Sequence, residues 1–219
     1  MQILEKIIAY IAPHYCIECS SEGKLLCTDC TRELCTAKKI VCNVGSQSKM
    51  CSVCHPTTVL THVWALGEYE GAIERLIHAL KFEGMRSAAD VFAEGLDMLL
   101  PPLPSQTCVV PLPTAPQRVR QRGYDQAVVI AQSFSHRRHL PYVQLLRRKH
   151  NLRQVGATRE QRLRQASCAY QVIKPPYMPQ SILLIDDVLT TGVSLNAAAN
   201  ALRNIGCQEV MAAVAARHT

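Results

Sequence analysis

The chain has 219 residues, of which 48% are hydrophobic, enough to bury a sizeable core. No run of about eighteen apolar residues marks a membrane-spanning helix. The formal net charge of +7 is unevenly spread: residues 117–164 hold twelve Lys/Arg against Asp125 and Glu160, so that segment is +10 and the remainder −3. Such a block suits a polyanionic partner, a nucleic acid or the phosphates of a nucleotide-like ligand. It equally suits a solvated helix surface, although few acids are present to pair with it.

The first predicted element is a short amphipathic helix over residues 3–12, "ILEKIIAYIA", interrupted by Glu5 and Lys6. No A-x-A-type cleavage site follows it, so it does not read as a signal peptide. The expected compartment is therefore the cytoplasm, where thiols stay reduced.

Residues 16–54 then hold eight of the eleven cysteines. A C-x-x-C knuckle sets two thiolates on one tight turn, at the separation of two corners of a tetrahedron. Cys16, Cys19, Cys27 and Cys30 form the best-matched quartet, with seven residues between the knuckles, and predict a structural Zn2+. Cys51 and Cys54 form a third knuckle. With Cys42, and either Cys35 or His55, they are the candidate ligands of a second zinc. A disulfide framework has no secretory signal to support it, and no thioredoxin-like βαβ pattern surrounds the pairs. A closed four-cysteine site supplies folding energy rather than chemistry, so residues 1–60 read as a helix plus a zinc-ribbon scaffold or binding module.

Residues 61–219 read as an α/β domain. "GAIERLIHALKFEG" places Ile73, Leu76, Ile77 and Leu80 on one helical face. "TCVVPLP" is a short buried strand stopped by prolines. "GYDQAVVIAQSF" is helical, with Ala127, Ile130, Ala131 and Phe134 on one side. "SILLIDD" is a buried strand, "SLNAAANALRNIGC" a helix closed by Gly206, and "EVMAAVAAR" a final strand. Alternating strands and helices predict a mostly parallel sheet covered on both faces. Cys108, Cys168 and Cys207 read as core or incidental residues. Asp125, the only acid between Arg118 and Arg159, reads as a partner for a neighbouring arginine.

The stretch from Ser181 to Ser194, "SILLIDDVLTTGVS", carries the functional signal. An aliphatic strand ends in Asp186 and Asp187, at the end of a parallel strand where open sheets bind ligands. Adjacent carboxylates repel, so something must reward them: ribose hydroxyls or Mg2+. The turn Leu189-Thr190-Thr191-Gly192-Val193-Ser194 opens a helix, and its exposed N–H groups and hydroxyls make a phosphate cradle. The acids then hold a sugar while the loop holds its 5′-phosphate.

This pattern resembles the phosphoribosyl pyrophosphate (PRPP) signature of type I phosphoribosyltransferases. The cysteine pairs, "YEGAIERLIHALKFEG", "VVPLPTAPQRVRQRGYDQA", "REQRLRQASCAYQV" and the PRPP loop extend the resemblance over nearly the whole chain, to the ComF/GntX family. That family joins an N-terminal cysteine ribbon to a phosphoribosyltransferase-like domain. The chain departs from it at Cys42-x-x-Gly45, where the family has another C-x-x-C, at Arg122-Gly123-Tyr124-Asp125-Gln126, where it has R-G-F-N-Q, and at Arg162-Leu163-Arg164-Gln165, where it has R-x-x-N.

The resemblance implies a type I phosphoribosyltransferase fold. It implies catalytic roles for Asp186 and Asp187, binding of PRPP with Mg2+, and a pyrophosphate loop at 110–114 that includes Pro113 and Thr114, followed by Arg118 and Arg122. A mobile basic loop is implied over 147–164, with Gln154, Arg159 and Arg162 reaching the diphosphate. No hood segment selects a nucleobase, so the acceptor is unnamed. Because ComF relatives are associated with natural competence, the resemblance also implies handling of incoming single-stranded DNA at the inner face of the inner membrane, with a helicase or other uptake factor as partner. The alternative is a working transferase that passes 5-phosphoribose to an acceptor in nucleotide metabolism. Aromatic residues are only 5% of the chain, so base stacking is thinly supplied; Tyr124, Tyr142 and Tyr170 lie in or near the basic block.

Overall fold

The structure is a computed structural model that describes residues 15–36, 40–43, 58–149, 169–173 and 179–218. The elements run α1 (Thr28–Thr36), β1 (Ile40–Asn43), β2 (His62–Glu68), α2 (Gly71–Phe82), α3 (Ser87–Leu99), β3 (Thr107–Pro111), α4 (Pro116–Arg122), α5 (Gln126–Arg138), β4 (Leu146–Arg148), β5 (Tyr170–Val172), β6 (Ser181–Leu189), α6 (Val193–Asn204) and β7 (Glu209–Arg217). One five-stranded sheet has the order β1-β2-β7-β6-β3, and β4 with β5 forms a separate antiparallel pair. All neighbours in the large sheet are parallel except β1, which runs antiparallel to β2.

Successive side chains of a strand point to opposite faces, so a strand covered on both sides must be apolar throughout. The central strand β6 shows this. Leu183 and Ile185 belong to a core shared with α2, α3 and α5, whereas Ile182 and Leu184 belong to a core shared with α6 and the β4–β5 pair. β7 fills its middle with Ala212, Ala213, Ala215 and Ala216, all fully buried. Ile73, Leu76, Ile77 and Leu80 of α2, and Ala127, Ile130, Ala131 and Phe134 of α5, are buried as their spacing predicts.

Two details differ from the sequence reading. β6 does not end at its acids but runs on to Leu189, paired with Arg217, because β7 is long enough to keep the ladder going after β3 has stopped at Pro111. The second is a contact that the sequence does not show, between the stretches on either side of residue 60. β1 pairs with β2 from Ile40↔Ala65 to Asn43↔His62, and Cys16, Leu25 and Leu26 are buried in the same core as Trp64 and Leu66. The helix expected over 3–12 lies outside the described residues. Among the described residues, no helix is long and apolar enough to cross a membrane.

Candidate functional site

β3 and β6 lie side by side, yet the helices that follow them cover opposite faces of the sheet: α5 packs on one and α6 on the other. That divergence marks the topological switch point of the sheet, and open α/β sheets bind ligands in the crevice at the carboxyl ends of such strands. The last β3–β6 bond is Leu112 N–H to the Ile185 carbonyl at 2.8 Å. Asp186 and Asp187 stand just beyond it.

The Asp187 N–H donates to Asp186 Oδ1 at 2.8 Å, and the Val188 N–H donates to Asp187 Oδ1 at 2.7 Å. The other Asp187 oxygen, Oδ2, meets Lys81 Nζ from the last turn of α2 at 2.8 Å, with the two side chains only 18% and 16% exposed. Burial, followed by the adjacent Asp187 carboxylate, holds the Asp186 carboxyl well above the usual carboxylate range; the Asp187 N–H and Lys81 only partly oppose this.

A third carboxylate faces the same crevice. Asp125 is the N-cap of α5, accepting from the Ala127 N–H at 3.1 Å. It also accepts from the Thr114 N–H at 2.8 Å and the Thr114 hydroxyl at 2.9 Å. Its task is thus to pin the 112–115 loop to α5 rather than to pair with an arginine. Burial raises its pKa, the Thr114 and Ala127 donors oppose that rise, and Asp187 adds to it.

On the other side, Leu189 is buried and the Thr190, Thr191 and Ser194 side chains are exposed before and within the first turn of α6, beside exposed Val193. Gly192 caps that helix at φ +69°, a left-handed conformation that other residues adopt only with strain. Tyr170 of β5 is 5% exposed, and among the described residues its hydroxyl has no close hydrogen-bond partner. Burial raises its pKa, while Arg148 and the nearby Ser194 hydroxyl act against that.

The structure thus brings together Asp186, Asp187, Thr114 and the 189–194 loop. Pro113 lies in the loop that Asp125 pins. Arg122 is engaged elsewhere: its Nη1 donates to Gln126 Oε1 at 2.8 Å, and its guanidinium lies 5.3 Å from the centre of the Phe82 ring. Arg118 is exposed on α4. Gln154, Arg159 and Arg162 lie outside the described residues. Lys81 does not stand out in the sequence. Its only signal there is a lysine four residues after Ile77, at the border of the apolar stripe of α2. Asp125 carries a clearer one, since it immediately precedes a helix in an N-cap position.

The cysteine module forms a second site. The sulfurs of Cys16, Cys19, Cys27 and Cys30 all lie within 4.8 Å of one another, with Cys19 and Cys27 at 3.7 Å. Tetrahedral Zn–S bonds of about 2.3 Å would separate sulfurs by about 3.8 Å. The Cys27 N–H points at Cys16 Sγ at 3.4 Å, and the Cys30 N–H at Cys27 Sγ at 3.5 Å. Burial pushes the Cys16 thiol up, but the N–H groups of Cys19, Cys27 and Glu18 and the Cys19 thiol outweigh it and bring it down to about 6. The Cys30 N–H lowers Cys27, and the Cys27 thiol in turn raises Cys30. Four sulfurs sharing protons in this way fit a structural zinc. Of the ligands expected for a second zinc, Cys35 and Cys42 fall on α1 and β1, and Cys51, Cys54 and His55 lie outside the described residues.

The carboxylate pair does not fit direct ligation of Mg2+. Hard divalent ions require several free oxygens. Here Lys81 and the Val188 N–H each bond one oxygen of Asp187, and burial holds the Asp186 carboxyl well above the usual carboxylate range, which makes both weaker ligands for a hard cation.

Fold and crevice together define a phosphoribosyltransferase-like protein with a four-cysteine module, and residues 120–219 match the phosphoribosyl transferase domain. Competence protein F of Haemophilus influenzae is 31% identical over 106 residues, which are 47% of this chain and 46% of that protein. ComFC of Streptococcus pneumoniae is 27% identical over 146 residues, covering 67% and 64% of the two chains. ComFC of Bacillus subtilis is 31% identical over 98 residues, covering 45% and 39%. The matches therefore span between 39% and 64% of these curated relatives. The chain is thus similar to the competence proteins of the ComF family over part of its length and carries a phosphoribosyltransferase-like domain.

Proposed function

We propose that the protein serves natural competence by handling incoming single-stranded DNA, and that its crevice binds the ribose phosphate of PRPP or a similar ligand. The observation that carries the pocket reading is the meeting of Asp186 and Asp187 with the Gly192 turn and the N-terminus of α6 at the switch point of the sheet. The acids accept from ribose hydroxyls, and the turn and its hydroxyls receive the 5′-phosphate. The Thr114 loop lies on the diphosphate side. Any Mg2+ enters on the ligand's own diphosphate rather than on the acids.

The competence role rests on the relatives and on the placement of charge. Arg118 and Arg120 on α4, with Arg147 and Lys149 at β4, are exposed. Phe82 is 65% exposed beneath the Arg122 guanidinium, an aromatic–arginine pair of the kind on which bases stack. Titration of PRPP into the full chain tests the pocket. Heat of binding that disappears in Asp186→Asn/Asp187→Asn supports the reading, and no heat with the unaltered protein rejects it. Anisotropy of labelled single-stranded DNA across a salt series tests the second half.

A working transferase is the other reading, favoured by the retention of both acids beside a complete phosphate turn. In that reaction a C1–N bond forms as the C1–O bond to the diphosphate breaks. Pyrophosphate leaves with the electron pair, and the nucleophile's proton passes to a base. Pyrophosphate release that requires an added nitrogen base, and stops in the double Asn variant, would establish it.

A further inference from the structure

We propose that the Lys81 ammonium is the resident cation of the crevice, staying on Asp187 as the ligand enters, so that a ribose phosphate binds there without a divalent metal. The inference rests on the ribose-phosphate reading of the crevice and concerns how that site handles charge. Asp125, Asp186 and Asp187 all border the crevice, and three carboxylates repel an anionic ligand. Among the described residues, Lys81 is the cation in a salt bridge with one of them.

Its position is fixed by packing. Ile73, Leu76, Ile77 and Leu80 bury one face of α2, and Lys81 directly follows Leu80, itself fully buried. Nearby, the Tyr124 hydroxyl donates to the Leu80 carbonyl, tying the end of α2 to the segment between α4 and α5. The ammonium therefore reaches Asp187 from a braced helix end rather than from a loop.

Lysine has three donors and no acceptor. One meets Asp187 Oδ2 at 2.8 Å; among the described residues no other acceptor is bonded to it, which leaves two for ligand oxygens. The Asp187 Oδ1 atom accepts from the Val188 N–H, so each oxygen of this carboxylate already has a donor and a metal would have to compete with the Lys81 ammonium for it. Displacing Lys81 would leave two opposite charges, each less than a fifth exposed, without their partners. A ligand that uses the two remaining donors avoids that cost.

The test is calorimetric titration of PRPP into the full chain, once in EDTA and once in MgCl2, for the unaltered protein, Lys81→Met and Lys81→Arg. For the unaltered protein, the affinity in EDTA should lie within about threefold of that in Mg2+, a difference under about 1 kcal/mol. Lys81→Met should lose tenfold or more in EDTA and recover part of it in Mg2+, as metal enters the vacated position. A purely structural role for Lys81 predicts no such recovery. Lys81→Arg should retain metal-free binding. Binding by the unaltered protein only in Mg2+ would overturn the inference while leaving the crevice reading intact. Its failure to bind under either condition would overturn both. The first comparison needs no substitution, so a poorly folded variant cannot obscure it.

Discussion

Cys16, Cys19, Cys27 and Cys30 crowd four ionisable sulfurs within 4.8 Å, and Asp186 and Asp187 set two carboxylates on neighbouring residues of one strand. Both regions gather groups that repel once ionised, but they relieve the repulsion differently. In the knuckles the sulfurs are bonded to backbone N–H groups, to Ser21 and to one another, and among the described residues no cationic side chain is bonded to them. In the crevice the compensation is built in: Lys81 on Asp187, backbone N–H groups on both acids, and an Asp186 carboxyl whose pKa is raised by burial and by Asp187. The first arrangement is compatible with a metal that completes it. The second is already compensated, and beside it stand the exposed Thr190, Thr191 and Ser194 and the Lys81 ammonium, which suit an organic ligand.

The contrast is broken most forcefully at the cysteines. Metal analysis should find at least one zinc per chain, lost in Cys16→Ser. Because Cys16, Leu25 and Leu26 share a core with Trp64 and Leu66, losing the metal should loosen the α/β domain as well. Structural zinc contributes several kcal/mol to folding. At about 2–4 °C per kcal/mol for a domain this size, Tm should fall by about 10 °C or more on chelation. A chelated protein that melts unchanged would show that the ribbon is dispensable for the fold.

Asp125→Ala comes next. It removes the α5 cap and both anchors of Thr114, and should cost about 2 kcal/mol or about 4–8 °C in Tm. PRPP binding should weaken along with it, because the 112–115 loop is no longer held. Asp186→Asn should act in the opposite direction on stability. The folded carboxyl titrates above its unfolded value, so its stabilising effect is complete below the ordinary carboxylate range and is lost as pH rises through the folded pKa. At neutral pH the neutral amide should raise Tm by about 2–4 °C while weakening ligand binding. Melting curves over pH should show the gain shrinking toward acid pH, where the native aspartic acid is itself neutral. A gain independent of pH would remove the charge explanation.

Much of the fold was legible because periodicity and local chemistry agree: β6, β7 and the buried faces of α2 and α5 follow directly from their apolar spacing. The acids and the turn after them were legible as an ordered motif. The Lys81–Asp187 pair was not, since it joins residues 106 positions apart and depends on how α2 docks against the sheet. The extension of β6 to Leu189 was equally hidden, being set by the length of β7. The basic block was legible as composition but not as surface, because the structure divides it. Arg138 is bonded to the Asp97 carboxylate and to the carbonyls of Asp97, Leu100 and Pro101, and Arg137 pairs with Glu94 at 3.5 Å.

That division gives the smallest and most discriminating expectation. Arg118 and Arg120 are exposed on α4, while Arg137 and Arg138 brace α5 against α3, although all four lie in one run of positive charge. Removing one arginine that neutralises a phosphate of single-stranded nucleic acid should reduce the slope of log affinity against log salt by about 0.7. Arg118→Ala/Arg120→Ala should therefore flatten the slope by up to about 1.4 without changing Tm. Arg138→Ala should lower Tm by several degrees and leave the slope alone, because its guanidinium is spent on Asp97 and three carbonyls. If both variants flattened the slope equally, net charge rather than the face around α4 would govern DNA binding. The distinction between exposed and internally spent arginines would then have no functional consequence.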